Sequence, residues 1–298
     1  MADSTVATGL TVQQWDAKFF KEYLEENRFK REMGTSSNNV IQMKSDLTKK
    51  KGDSVTFALV NRLTGAGVTG SSTLEGNEEA LDSRSFKLAV DKLRNAVRVA
   101  EVDEQFSAIS LRSAGKEVLK DWIMEKTRDS IIDALGMING TVYGSASEAN
   151  KDAWLVDNAD RCLFGDAIGN GGYTDHSADL ATVTAAMTMG AAEVQLMKRI
   201  AQTASPKIPP VRTSEDERWY IMYVDSRLMR DWKAGSPLAQ ANREALPRSK
   251  NNPLFTGGDL CYDGVIIKEI ADIASVGTVG AASAAVSRAS LCGAQAIG

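Results

Sequence analysis

Few places in this 298-residue sequence hold residue types at spacings that could do chemistry. The first is Gly65-Ala66-Gly67-Val68-Thr69-Gly70, GAGVTG, which fits G-x-G-x-x-G and follows an apolar, strand-like run, Ser54 to Val60 (SVTFALV). In a dinucleotide site the last glycine opens a helix, and the free N–H groups of that helix hold the pyrophosphate. Here the continuation is SSTLEGNEEALDSRS. It has no helical period, and it sets Glu75, Glu78 and Glu79 where a phosphate would lie. The context the motif needs is missing. The glycines read instead as bend points in a mobile hairpin tip that lies close to other backbone. A nucleotide-dependent oxidoreductase would rest on this motif alone, and no cofactor is expected.

The second place is Asp175-His176-Ser177-Ala178-Asp179, which holds the one histidine of the chain. Two carboxylates and an imidazole fall short of the three or four converging ligands of a metal site, and solvated loop residues are the simpler reading. Glu78–Glu79 and Glu215–Glu217 read as solvated acidic faces. Asp157 and Asp160 near Arg161 suit a local ion pair, worth little if exposed. Cys162, Cys261 and Cys292 show no C-x-x-C spacing and read as small residues of a protein in a reducing compartment. Nucleophile-elbow, P-loop and H-E-x-x-H patterns are lacking. No catalytic, cofactor-binding or metal residue is assigned, and the chain is not expected to be an enzyme.

Composition fits a folded protein, with 43% hydrophobic and 25% charged residues. A net charge of -4 excludes a molecule that is basic as a whole. Arg28, Lys30 and Arg31, with Phe29, and Lys49-Lys50-Lys51 make the N-terminal part locally basic. That suits weak contact with a nucleic-acid backbone or with acidic patches of a neighbour. The start MADSTVATGL lacks the basic and apolar regions of a secretory signal. No apolar run approaches the ~18–20 residues of a membrane helix.

The elements follow from periodicity. A leader, 1–10, precedes a helix from Val12 to about Arg31, with Trp15, Phe19, Phe20, Tyr23 and Leu24 on one face and Gly34 as its stop. Thr35 to Asp53 reads as an exposed, extended arm. Ser54–Val60 and Ser85–Val99 read as antiparallel strands joined by a long polar connection, of a length that is often functional. One long helix is predicted from Asp103 to Met137, with Phe106, Ile109, Ala114, Val118, Trp122, Ile123, Ile131, Ile132 and Leu135 as its apolar stripe; it would run ~45–50 Å. Beyond Gly140 the chain is punctuated by glycine. Further helices are predicted at Ala178–Ala204, Asp225–Ala234 and Ser236–Ala245, with strands at Arg218–Val224 and Val265–Ile270. Strands and helices in no strict alternation argue an α+β fold.

The segment SNNVIQMKSDLTKKKGDSVTFALVNRLTGAGVTGSSTLEGNEEAL, Ser37 to Leu81, resembles the N-four-like coat protein family of tailed phages. Its Ile-Gln, Asp-Leu, Gly-Asp, strand, Leu-x-Gly-x-Gly-x-x-Gly and Leu-Glu-Gly-x-Glu-Glu series carries the likeness. The likeness continues through Arg94-Asn95-Ala96-Val97, the helix with Trp122, GDLCYDGVIIKEI (258–270) and LCGAQAI (291–297). The order of elements is similar to the Hong Kong 97-type fold of phage major capsid proteins, which encapsulin shells also use.

The resemblance implies an N-terminal arm, 1–53, and an extended β-hairpin loop, 54–99, reaching over a neighbouring subunit. It implies a spine helix with the peripheral domain, 100–139, and an axial domain with remaining peripheral elements, 140–298. Relatives are expected to run on past Leu291–Ile297, whereas this chain stops at Gly298, as a truncated product or a fragment would, which leaves the last strands of the fold open. The implied function is a major capsid protein whose copies form hexamers and pentamers of an icosahedral shell around genomic DNA. An encapsulin-like cellular shell is the alternative. Implied partners are other copies of the chain, with portal, scaffolding or decoration proteins and non-specific contact with packaged DNA, and no membrane. The implied place is the virion, after synthesis in the bacterial host cytoplasm. Contact between subunits is expected at Gly65, Gly67, Gly70, Glu75, Glu78 and Glu79, with Lys49, Lys50 and Lys51 contributing.

Overall fold

A computed structural model describes residues 28–43, 54–60, 62–81, 83–89, 92–107, 109–212, 217–235, 240 and 259–297. Its contacts divide the chain into two units, Lys44–Arg98 and the remainder. Residues 12–27 of the predicted first helix, Lys44–Asp53 of the arm and most of the predicted Ser236–Ala245 helix lie outside the described residues.

The larger unit is organised by strands built at the positions of highest β-branched and aromatic content. In chain order its elements begin with a single 3-10 turn, Arg28–Arg31, and two short parallel strands, β1 (Met33–Gly34) and β2 (Ile41–Gln42). Gly34 therefore sits in a strand. The predicted exposed arm is also corrected here. Val40 and Ile41 are buried, and Ile41 bridges Ile297, because an apolar pair in an otherwise polar stretch has a core to enter.

The smaller unit holds β3 (Ser54–Val60) and β4 (Ser83–Ala89), antiparallel from Ser54↔Ala89 to Val60↔Ser83. The second predicted strand ran to Val99. It stops at Ala89, where its partner strand begins, and residues 92–100 are irregular.

The predicted spine helix is two helices, α1 (Glu101–Phe106) and α2 (Leu111–Leu135). Serines break it. Ser107 Oγ accepts from the Ile109 N–H at 3.2 Å, and Ser110 caps α2 by accepting from the Ser113 N–H at 3.4 Å. The Glu104 carboxylate adds to the break by accepting from Ser110 Oγ and the Arg112 N–H. Side chains that take backbone donors in this way compete with helix continuation.

Then come α3 (Glu148–Asp157), α4 (His176–Leu180) and α5 (Ala191–Thr203). The predicted single helix Ala178–Ala204 is thus interrupted at 181–190. Thr182 Oγ1 donates to the Asp179 carbonyl at 2.6 Å, and the Val183 carbonyl accepts from Ala281 N–H at 2.8 Å. Both contacts divert groups that a continuous helix would use.

The remaining elements are β5 (Val211–Arg212), β6 (Arg218–Val224), α6 (Ser226–Ala234), β7 (Leu260–Tyr262), β8 (Val265–Glu269) and β9 (Ala289–Cys292). The sheet runs β5-β6-β8-β7, and β9 also pairs with β6. β6 lies parallel to β8 and antiparallel to β5 and β9.

Alternation along β6 supplies two cores. Tyr220, Met222 and Val224 enter one, with Val265 and Ile267 of β8, Leu260 of β7, Val194 and Ala201 of α5, and Met229 and Trp232 of α6. Ile221 and Tyr223 enter the other, with Phe29, Val40, Ile41, Ile131, Ile132, Ile270, Ile273 and Cys292. α6 is set in place by Asp225, whose carboxylate accepts from the Leu228 N–H at 2.8 Å.

Only the C-terminal end of α2 reaches a core. Ile131 and Ile132 are buried, whereas Val118, Ile123 and Met124 are exposed, so the predicted stripe is not a single buried face. Among the described residues no helix is long and apolar enough to cross a membrane.

Met222→Ala should cost about 2–5 kcal/mol in denaturant unfolding, the usual range for a buried large side chain. Val118→Ala, at a residue 52% exposed, should change stability by no more than about 0.5 kcal/mol. Equal losses at the two positions would mean that the first half of α2 is packed in the single subunit.

Candidate assembly interface

The tip between β3 and β4, residues 62–81, contains no helix among the described residues. Its shape comes from its own polar groups. The Glu79 carboxylate accepts from the Thr64 N–H at 2.6 Å, Thr64 Oγ1 at 3.1 Å and the Gly65 N–H at 2.6 Å. A Cβ at Gly65 would stand 2.6 Å from Glu79 Oε2, so glycine is what lets the carboxylate reach the backbone. A second turn closes around Gly76. Asn77 N–H donates to the Leu74 carbonyl at 3.0 Å, Asn77 Nδ2 to the Thr73 carbonyl at 3.1 Å, and the Gly76 N–H to Glu78 Oε2 at 2.8 Å. Gly67 and Gly70 have φ of 72° and 71°, a region only glycine enters freely.

This geometry decides the chemistry of GAGVTG. Of the motif's own N–H groups, that of Gly65 is already held by the Glu79 carboxylate, and no helix rises from Gly70. The predicted contact residues therefore divide. Glu79 and Glu78 shape the tip from within. Glu75 makes no hydrogen bond or ion pair among the described residues and is exposed, as are Leu63, Leu74 and Leu81. Lys49, Lys50 and Lys51 lie outside the described residues.

Within the larger unit, Phe106 at the end of α1 is 84% exposed, with Val102 on the same helix also exposed. Sequence reasoning put Phe106 on the apolar stripe of one long helix. The signal that it belongs elsewhere was the pair Ser107 and Ser110 directly behind it.

The residues of DHSAD do not converge. Asp175 caps α4, accepting from the Ala178 N–H at 2.9 Å and Ser177 Oγ at 2.7 Å. Asp179 is buried and accepts from the N–H groups of Gly172 and Tyr173 at 2.7 and 2.8 Å. His176 is a fastening between elements. Its Nδ1 lies 2.6 Å from Glu148 Oε1 of α3, its Nε2 3.0 Å from Tyr143 Oη, and its N–H donates to Asp152 Oδ1 at 2.8 Å. Lys151 and Arg288 each lie 4.7 Å from the Tyr143 ring centre. His176 and Asp179 are helical and partly or fully buried, not solvated loop, whereas Asp175 is exposed at the cap. Among the described residues no group of three or more His, Cys, Asp or Glu is placed to hold a metal.

Electrostatics give the same reading. Burial pushes the thiols of Cys162 and Cys292 up to about 11 and about 12, away from nucleophilic thiolate. All three cysteines are free. Asp160, predicted to pair with Arg161, lies 3.7 Å from it. It also accepts from the Ser205 N–H at 2.7 Å, which ties the turn after α3 to the end of α5.

The arrangement is that of a surface, not of a reacting site, and comparison with known proteins agrees. A family model described as phage capsid protein matches residues 3–298. The chain belongs to the phage capsid protein family. The capsid structure of cyanophage Pam1 is 36% identical and superposes with a TM-score of 0.83, covering 92% of this chain and 76% of that one. The major capsid protein of Pseudomonas phage KPP25 is 28% identical over 267 residues, 86% of this chain and 70% of the relative. The capsid of Ralstonia phage GP4, at 22% identity, shares the fold with a TM-score of 0.71 over 99% of this chain and 83% of its own. This capsid protein is a structural component of a phage virion with a Hong Kong 97-type α+β fold, from a family of shell proteins and not of enzymes. The oxidoreductase reading of GAGVTG is set aside on both grounds.

The Glu79 carboxyl is held below the usual carboxylate range by the Thr64 N–H first and the Gly65 N–H second. A depressed carboxyl stabilises the tip above its ordinary value, and that contribution is lost as pH falls through the folded value. Slowed amide exchange at Thr64 and Gly65 is expected near neutral pH and should vanish on acidification. It should be absent at all pH in Glu79→Ala.

Glu148 is likewise lowered. Burial opposes the shift, but hydrogen bonds from His176 and Lys151 and their charges outweigh it. In His176→Ala the Glu148 carboxyl should titrate at higher pH than in the parent protein, as followed by carboxyl carbon NMR. An unchanged titration would mean the imidazole does not hold it.

Proposed function

We propose that this chain is the major coat subunit of a tailed-phage head, and that its copies close into an icosahedral shell of hexamers and pentamers enclosing genomic DNA. The hairpin β3–β4 is the finger that grips a sister copy. Residues 100–139 serve as the spine and peripheral domain, and most of 140–298 as the axial domain.

The observation that carries the finger's role is its own construction. A two-stranded ribbon is marginally stable alone in water, and this one ends in a tip shaped by internal hydrogen bonds with Leu63, Leu74 and Leu81 exposed. Such a tip supplies an apolar contact, and Glu75 supplies a charge free to meet a basic neighbour. Charges at the rim of such contacts set register and association rate more than affinity. Membership of a capsid family along nearly the whole chain supports the shell. The subunit is made in the cytoplasm of a bacterial host. In the head it meets packaged DNA non-specifically and adjoins portal, scaffolding or decoration proteins.

Electron microscopy of the purified protein at rising concentration tests this, with shells or rings of capsomers expected. Glu75→Gln should slow assembly at low salt, as followed by light scattering, with little change at high salt. Protein that stays monomeric throughout, or assembly kinetics unchanged by the substitution, counts against the proposal.

A further inference from the structure

The first described segment, Arg28–Met43, joins the sheet through a charge placed where charge is costly. Glu32 and Lys268 form an ion pair with side chains only 6% and 8% exposed, and Lys268 Nζ also lies 3.6 Å from Asp259 Oδ2. Lys268 on β8 is opposite Tyr223 of β6, on the face that packs Phe29, Val40 and Ile41. The Phe29 and Tyr223 rings meet edge to face at 5.0 Å.

Around this centre the segment closes on itself, with Ile41 N–H donating to the Glu32 carbonyl at 3.1 Å, and is held to the C-terminal strand region by Gln42 N–H to Ile297 O at 2.8 Å, Ile297 N–H to Val40 O at 3.1 Å and Gln295 N–H to Asn39 O at 2.8 Å. Asn38 exchanges bonds with the Arg212 backbone, and Arg28 Nη1 donates to Glu269 O at 2.6 Å.

The central ion pair is only half satisfied. Glu32 Oε2 and Tyr223 Oη are buried without a hydrogen-bond partner among the described residues. Burial first, and the nearby Glu32 carboxylate second, hold the Tyr223 phenol in its neutral form, so it brings no competing charge. A buried pair of this kind adds little over an apolar replacement of both members, yet removing one member leaves an uncompensated charge and is strongly destabilising. Phe29, Val40 and Ile41 already supply apolar grip, so the pair's distinct effect is to make docking conditional on both charges.

We propose that Glu32 and Lys268, steadied by Asp259, form a releasable clasp: with both charges present the Arg28–Met43 segment stays on its own sheet, and with either lost it lifts away while the sheet remains folded. Local release with the rest intact is the behaviour of a low-stability cooperative unit. The segment belongs to the same unit as the sheet, so the clasp does not depend on how the finger is used.

Hydrogen exchange on the full chain, kept unassembled, tests the clasp. In Lys268→Met, peptides covering 28–43 should exchange at least about tenfold faster, while peptides of β6 and β8 stay within about twofold of the parent protein. Glu32→Gln, which keeps the side-chain shape but leaves Lys268 with Asp259 alone, should accelerate the same peptides to a smaller degree, and it serves if Lys268→Met does not fold. The double variant E32Q/K268M should recover most of the protection, because no lone charge is left buried. Parent-like exchange of 28–43 in both single variants overturns the proposal. So does acceleration spread evenly over β6 and β8, or a double variant no better than the worse single one.

Discussion

The structure depends on one strand that has no solvent side. β6, RWYIMYV, sends Tyr220, Met222 and Val224 into one core and Ile221 and Tyr223 into the other. A slip of one residue would exchange the two sets. Parallel pairing with β8 and antiparallel pairing with β9 then fix its neighbours. Everything that must be placed accurately is placed relative to this strand. The end of α2, the Phe29 turn and the Ile41–Ile297 bridge lie on one side, and α5 and α6 lie on the other.

Much of this was legible in the sequence, and the misses have a common cause. RWYIMYV was bounded at Arg218 and Val224, as observed, because a short continuous run rich in aromatic and branched residues reads as a strand buried on both faces. The helix predicted at Asp225–Ala234 is α6, and the structure shows Asp225 as its cap. The breaks at 107–110 and 181–190 were missed because they arise from side chains taking backbone donors and carbonyls. Apolar spacing does not register that competition, although Ser107, Ser110 and Thr182 were in plain view. Glu32–Lys268 and His176–Glu148 join residues far apart in the chain, and no local pattern announces such pairs. The acidic run at 75–79 was recognised as hostile to phosphate. That one of its members folds the tip from inside became visible only with the Thr64 and Gly65 N–H groups in place.

The division of labour follows from what a shell asks of its parts. Many identical copies meeting in symmetric arrays need complementary patches and not one tight site. The body of this capsid protein spends its apolar residues on two cores. Among its exposed apolar side chains are those of Leu63, Leu74 and Leu81 on the tip, Val102 and Phe106 on α1, and Val118, Ile123 and Met124 on α2. Exposed apolar surface of this kind marks contact with other molecules. The family finds its function here through placement of surface on a rigid frame, which is why no cluster of reactive groups was needed to recognise it.

The tip's hydrogen bonds carry a consequence for how copies meet. Because Glu79 and Glu78 order the loop before any contact is made, the entropy of fixing its shape is settled in the free subunit and not charged to each encounter. In the contact proposed above, every copy would present to its neighbour a tip whose outline Glu79 and Glu78 have already set.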